Sequence, residues 1–502
     1  MTAVLLATLV IPALGAAVAF AMPGRLDRAA RLVATVAAGL AFLASLLLLI
    51  RPGTWFRYGV GRPVIVPWHE IDLPWVPSLD LSFHIGVDGI SWPLVGLTTL
   101  LTLLCCGYTL WKVPECGGGK NLVGLLLVIE VGIVGVFEAL DLVLFFVFFE
   151  VVLLPMYFVI ADWGGPERRH AARKFVLYTL FGSVLLLVGV FTVVAAAHTA
   201  DLVELSARGG DGIARGTQIA AFAVLAVAFA VKSPLWPLHT WLPDAHTEAP
   251  TVGSVILAGV LLKMGTYGLI RVVGVVPLGA KALAPVLGIL AVAAILIGSL
   301  VCLAQTELKR LIAYSSVGHM GFVLLGIATL TATGLQAALI GNIAHGVITG
   351  LLFFLAGAIK DRFHTGDLAE LGGLRERMPV LAGILGYAAI ASLGLPGLAG
   401  FWGEGFSVYA SLQRGGALWI TLGALAAVGG AVTAAYFLRL LRRVTHGVAA
   451  PAVTAADCAP VAVGELTAWG PLVVLALAVG LVPGLVLWLT QAPVEALMRV
   501  IP

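Results

Sequence analysis

Charge is scarce in this chain. Only 11% of its 502 residues are Asp, Glu, Lys or Arg, where soluble domains carry about 25%. With 60% hydrophobic residues and a mean hydropathy of +1.06, that scarcity excludes a water-soluble globule and places the chain in a membrane. The net charge of +3 says nothing about nucleic acid, and none is expected as a partner. Cysteine is equally sparse: Cys105, Cys106, Cys116, Cys302 and Cys458 form no C-x-x-C pair and no Cys/His metal spacing. Cys105, Cys106 and Cys302 read as small core residues of apolar helices. Phosphate loops are missing too, because Gly117-Gly118-Gly119-Lys120 lacks the required spacing. No cofactor is therefore expected in this chain: no nucleotide, flavin, haem, iron–sulfur or metal site.

Long apolar runs are abundant. About fourteen reach spanning length, taking roughly 20 residues as the requirement. They lie near 2–21, 32–50, 90–111, 121–137, 141–160, 174–197, 217–238, 252–271, 284–304, 309–329, 334–358, 379–396 with a continuation to 412, 416–438 and 468–490. The first has no basic n-region and reads as a retained helix, not a cleaved leader. Loops after odd-numbered spans hold 18 Lys and Arg, and loops after even-numbered spans hold 8. Positive charge favours the inner side, so both termini are expected outside.

Four regions are expected: 1–120, three spans with a Pro- and Trp-rich external loop near 51–83; 121–275, a five-helix unit; 276–445, a second such unit; and 446–502, a loop and closing helix. Pro234, Pro237 and Pro243 interrupt the seventh span, and Gly394-Leu395-Pro396-Gly397 interrupts the twelfth. Proline removes a backbone donor and clashes with the preceding turn. Breaks five spans apart predict an all-α membrane protein with two five-helix units, inverted relative to each other, and discontinuous spans 7 and 12.

Of the 29 Lys and Arg, two fall inside spans by this reading. Lys232 ends a long apolar run beside the first break, and Lys263 sits about eleven residues into the next span. An ammonium at mid-bilayer costs at least about 2.5–3.5 kcal/mol on insertion scales, which points to ion or proton movement. Glu150, after the apolar run 142–149, is the carboxylate that could pair with Lys232 if spans 5 and 7 touch. A pair of variable separation switches a proton, whereas a fixed one only sets helix packing. Lys263 suits a relay, since lysine shifts its pKa readily when buried; the alternative is a side chain snorkelling to an interface. His319 and His345, on neighbouring spans among small and hydroxyl residues, can pass protons through two ring nitrogens. Glu404 follows the second break and could end the path or cap the restarted helix. Glu130 is ambiguous. His239, Asp244, His246 and Glu248 cluster between spans 7 and 8 without metal-ligand spacing.

These residues resemble a family. Lys232-Ser-Pro-Leu-Trp-Pro-Leu-His-Thr-Trp-Leu-Pro-Asp-Ala-His-Thr-Glu-Ala-Pro250, Leu261-Leu-Lys263-Met-Gly-Thr-Tyr-Gly268, Lys309-Arg-Leu-Ile-Ala-Tyr-Ser-Ser-Val-Gly-His-Met-Gly321 and Ala344-His-Gly346 are similar to the signature of the antiporter-like chains of respiratory complex I. Phe148-Phe-Glu150-Val-Val-Leu-Leu-Pro-Met-Tyr157, a terminal Glu404 where sister chains carry lysine, and a chain ending after fourteen spans resemble the subunit M (chain 4) branch. Gly405 departs from the usual Glu-Phe. The resemblance implies that Glu150 and Lys232 gate, Lys263 relays, His319 and His345 link, and Glu404 terminates proton transfer. It also implies partners, namely sister antiporter-like and other membrane-arm subunits in a lipid bilayer, with quinone and NADH handled elsewhere. The rival classes are an Mrp-type cation/proton antiporter subunit, the membrane arm of a hydrogenase-type complex, and a scaffold whose buried charges serve assembly.

Overall fold

A computed structural model describes residues 2–50, 64–76, 81–113, 117–455 and 459–502. Cys116, Cys458 and much of the expected loop at 51–83 lie outside the described residues. Among the described residues, thirteen helices are long and apolar enough to cross a membrane, including Thr2–Ala21, Gly24–Leu47, Gly119–Glu138, Thr251–Val275, Leu308–Ala328 and Ala332–Phe363. The twelfth span is the one divided in two, into Pro379–Ala391 and Ala399–Arg414, so the order of fourteen spans read from the sequence is present. Span 7 is likewise broken, into Arg215–Lys232 and Trp241–Glu248. The closing span Val463–Leu481 is followed by a further 15-residue helix, Gly484–Met498, beyond the single closing helix expected.

The helix breaks follow from the residues that make them. At Pro234 the chain can no longer extend span 7, yet the freed carbonyls find donors: Ala230 O takes Leu235 N at 2.9 Å, and Val231 O takes the Trp241 indole at 3.0 Å. Unsatisfied carbonyls in hydrocarbon would cost several kcal/mol each. Span 5 bends at Val152, between Leu142–Val151 and Leu153–Trp163. Pro155 explains it, because its missing N–H would have bonded Val151 O. The bend lies two residues from Glu150.

The two five-helix units carry matching marks. Leu142 N donates to Ala200 O and Leu202 N to Leu140 O, at 2.9 and 2.7 Å; Leu308 N donates to Gly366 O and Leu368 N to Thr306 O, both at 2.8 Å. Every residue of the second bridge lies 166 positions beyond its counterpart (142 to 308, 202 to 368). Five spans separate the two bridges, so they lie on opposite membrane faces. Asp141 and Glu307 cap the helices that start there, each accepting backbone N–H groups. An Asp141→Ala change should cost about 1 kcal/mol, read as a lowered thermal midpoint of the purified protein; an unchanged midpoint would refute the cap's contribution.

One element departs from an all-helical expectation. β1 (His69–Val76) and β2 (Leu81–Val87) form an antiparallel hairpin in register His69↔Val87. His84 Nδ1 lies 2.6 Å from Asp201, tying β2 to the loop after span 6. Burial opposes the His84 cation, but the Asp201 carboxylate outweighs it and holds the imidazole above its ordinary 6.5. Burial also opposes the Asp201 anion, and His84 with backbone N–H groups holds it below its ordinary 3.8. The raised histidine contributes stability below 6.5 that is lost as pH rises through its folded value. The lowered aspartate contributes above 3.8 and loses it on acidification. Hairpin amides should therefore be best protected between these limits and exchange faster at about pH 9, after correction for intrinsic rates; flat protection would count against the pair.

Candidate functional site

Glu150 and Lys232 come from helices that touch: Phe145 of span 5 meets Phe229 of span 7 edge-to-face at 6.1 Å. The Lys232 ammonium, on a side chain only 2% exposed, lies 4.6 Å from the Phe149 ring centroid. Among the described residues no carboxylate lies within 4.0 Å of it, although Glu150 acts on it electrostatically. One oxygen of Glu150 is buried without a hydrogen-bond partner. The two groups are neighbours held apart, with an aromatic face next to the cation.

Span 8 is deformed where it carries Lys263. A π-helical turn, Leu257–Leu261, widens the backbone just before it, a deformation found mostly at functional sites. The fully buried Lys263 Nζ bonds the Ala258 carbonyl of that turn and lies 2.6 Å from His345 Nδ1. His345 reaches it because span 11 approaches span 8 backbone to backbone. A Cβ on Gly346 would stand 2.5 Å from Gly259 O, so only glycine permits this contact. Asn342, one turn earlier on span 11, accepts from Thr266 of span 8 at 3.0 Å.

The chain of polar groups continues. The rings of His345 and His319 are 5.7 Å apart, and His319 Nδ1 lies 2.5 Å from Glu404 Oε1. His345 Nε2 is buried without a partner. His319, His345, Glu404 and Ser392 line a cavity of about 20 Å³, room for one water. Glu404 fits against the break in span 12 at Gly394 (φ +67°), where a Cβ would stand 2.9 Å from its carboxylate. Gly405 has not turned Glu404 away from the interior. Five of the six residues singled out from the sequence thus form two groups, the Lys232 site and the Lys263–His345–His319–Glu404 series, and Glu150 stands beside the first.

Other buried polar groups lie outside these two groups, and two of them, Arg271 and Lys309, do not stand out in the sequence. Arg271, counted there among loop residues, is inside span 8, 5% exposed, and pairs with Asp88 through both guanidinium nitrogens at 2.8 Å. Lys309, also counted as a loop cation, is buried and donates to Ala249 O at 3.1 Å. His246 belongs to the short helix Trp241–Glu248, stacks on Phe353 at 4.5 Å between ring centroids, and has no partner for either nitrogen. Glu130 is fully buried with both oxygens unpaired, while Glu138 accepts from Thr8 at 2.8 Å. Spacing on one helix (Lys263, Tyr267, Arg271) was the available signal for Arg271. Asp244, in the cluster between spans 7 and 8, pairs with Lys174 at 2.7 Å. Among the described residues no group of His, Cys, Asp and Glu has metal-binding geometry.

A many-span fold with broken helices and a buried lysine–histidine–carboxylate series defines an antiporter-like membrane protein. Residues 139–429 match the family model for the transmembrane region of NADH:quinone oxidoreductase/Mrp antiporter proteins, and the chain belongs to that family. It is 41% identical over 478 residues to NADH-quinone oxidoreductase subunit M of Rhodobacter capsulatus, covering 92% of this chain and 88% of that one. It is 42% identical over 439 residues to NAD(P)H-quinone oxidoreductase chain 4 1 of a Synechococcus strain, covering 83% and 82%. Respiratory complex I from Thermus thermophilus contains a chain that superposes with a TM-score of 0.86 at 29% identity, covering 99% of this chain and all of that one. The Mrp complex of a Dietzia strain shares the fold, with a TM-score of 0.81 at 24% identity over 99% of this chain and 52% of that one. The subunit M (chain 4) resemblance read from the motifs is thereby borne out.

Proposed function

We propose that this chain carries protons through the membrane arm of an NADH:quinone oxidoreductase, with the electron chemistry on other subunits and sister antiporter-like chains beside it in the bilayer. The observation that carries the reading is the series Lys263, His345, His319 and Glu404, hydrogen-bonded at each end with a water-sized cavity beside the two histidine rings. Lys263 holds a proton as an ammonium and hands it to His345 Nδ1. A ring that is protonated on one nitrogen can release from the other, so the proton passes through His345 and the small cavity to His319, and then to the Glu404 carboxylate. The balance is simple: each group gains one proton from the donor before it and loses one to the acceptor after it.

Lys232 and Glu150 form the charge gate at the entry. When the carboxylate approaches, it stabilises the Lys232 cation; when it withdraws, burial favours the neutral amine and drives the proton onward. The work to be met is about 2.3 kcal/mol per proton for each 100 mV of membrane potential. Both termini lie outside in this reading, as the loop charges indicate.

The test is Glu404→Gln in the assembled complex, with proton release and quinone reduction measured together in sealed vesicles. The amide keeps the shape but cannot take up a proton as the carboxylate does, and pumping is expected to fall at least about threefold, well within the range general acid–base groups contribute. A parental proton-to-electron ratio would sink the relay.

A further inference from the structure

We infer that the Asp88–Arg271 pair with Tyr267 is a proton-tight seal, closing the end of span 8 so that Lys263 discharges only along the histidine series. The inference rests on the proposed relay through Lys263. Span 8 sets Lys263, Tyr267 and Arg271 at intervals of four residues, on one face of the helix. The route from Lys263 to Arg271 covers eight residues, about 12 Å of helix rise. At its end a cavity of about 10 Å³ touches Arg271, Ile90 and Ser206, at the limit of holding a water. This is a short path from a buried proton carrier to the membrane surface, and left open it would dissipate the gradient.

Every group on it is held in a state that cannot accept a proton. The Tyr267 hydroxyl is committed as donor to Phe137 O at 2.9 Å. Its ring lies 4.9 Å from the Arg271 guanidinium, which has no lone pair to offer and stays charged. Among the described residues Asp88 is the base paired with Arg271, and its oxygens accept from both terminal Arg271 nitrogens, from Ile90 N at 3.0 Å and from Ser91 N at 2.9 Å. Burial alone would favour the neutral acid, yet the guanidinium and the backbone donors hold the Asp88 pKa below its ordinary value. Glu138, next to Phe137 on span 4 and not on this face of span 8, is engaged through one oxygen by Thr8, and its other oxygen is buried without a partner. A fixed cation in a dry constriction is a known means of excluding protons from pores. The scaffold reading, a pair that only fastens span 8 to the segment before span 3, makes a different prediction.

The experiment uses the purified complex in liposomes without electron donor, imposes a potassium diffusion potential and follows inward proton leak with a trapped pH dye. The Asp88→Asn/Arg271→Gln double variant removes the fixed charge while keeping hydrogen-bonding groups, and leak is expected to rise at least threefold. Arg271→Lys keeps the cation and should stay within twofold of parental. A tight double variant, or equal leak in both, overturns the seal. If the double variant does not assemble, Tyr267→Ala decides: it removes the aromatic member of the seal and opens space between Lys263 and the charged pair, so leak must rise, and a tight variant overturns the seal. The relay is tested separately by Glu404→Gln, whereas leak without donor bears on the seal alone.

Discussion

Replacing Lys263 by methionine is expected to cut NADH-driven proton pumping by about tenfold or more while leaving the complex assembled. Lys263 is fully buried, and among the described residues its ammonium bonds the Ala258 carbonyl and His345. Methionine matches its length and flexibility without the charge. Exchanging a buried charge for an apolar side chain of similar volume is often neutral or stabilising, because the desolvation cost disappears. The loss therefore falls on chemistry: the donor to His345 is gone, and positioned proton-transfer groups contribute typically about 10²–10⁴-fold. Blue-native electrophoresis would establish assembly, and simultaneous dye-based pumping and quinone-reductase assays would give the ratio. A pumping ratio at the parental value in an assembled Lys263→Met complex would remove Lys263 from the path. Failure to assemble would instead support a scaffold role for the buried charges.

Much of this arrangement was legible in the sequence because membranes make polar residues conspicuous. Lys232, Lys263 and Glu150 stand in apolar runs where each charge is costly, so a single sequence suffices to mark them. The breaks at Pro234 and Gly394 were visible for the same reason: proline and glycine leave a distinct trace in an apolar helix. What the sequence does not carry is partner choice over long separations. Arg271 ends a run of about twenty apolar residues, where snorkelling to an interface is the default expectation, and its partner Asp88 is 183 positions away. Lys309 sits in the first turn of span 10 and looked like one more inner-loop cation, yet it turns under the end of the short helix Trp241–Glu248 to reach Ala249 O. The π-helical turn before Lys263 has no composition of its own; it lies against span 11, where Gly346 approaches Gly259. The hairpin leaves a mixed trace: Ile71, Leu73 and Trp75 alternate with Glu70 and Asp72 in His69–Val76, but Pro74 cannot donate to a ladder and argues against a strand.

The Glu150–Lys232 pair illustrates how geometry refines a correct pairing. Sequence logic required a cation near Glu150, and span 7 supplies it. The structure adds that the two are not in contact and that the Phe149 ring, not a carboxylate, lies against the ammonium. A closed ion pair would be a fastening. A pair held apart beside the bend at Val152 and the break at Ser233 has elements on both sides able to move.

The second large effect concerns stability: Asp88→Ala is expected to destabilise the chain by roughly 3–5 kcal/mol, the usual cost of leaving a buried charge without its partner. Asp88 is 2% exposed and Arg271 5%, so water cannot replace the lost carboxylate without entering the protein. The Arg271 Nε is already buried and unpaired. Asp88 also accepts from Ile90 N and Ser91 N at the start of span 3, and alanine would strand those donors as well. Against the 5–15 kcal/mol net stability typical of folded domains, such a loss should appear as a sharp fall in thermal midpoint and in the yield of complex. The Asp88→Asn/Arg271→Gln double variant leaves no net buried charge and should lose distinctly less than Asp88→Ala alone. That ordering is the decisive comparison, because a pair acting merely through shape and packing would make the double change the worse of the two.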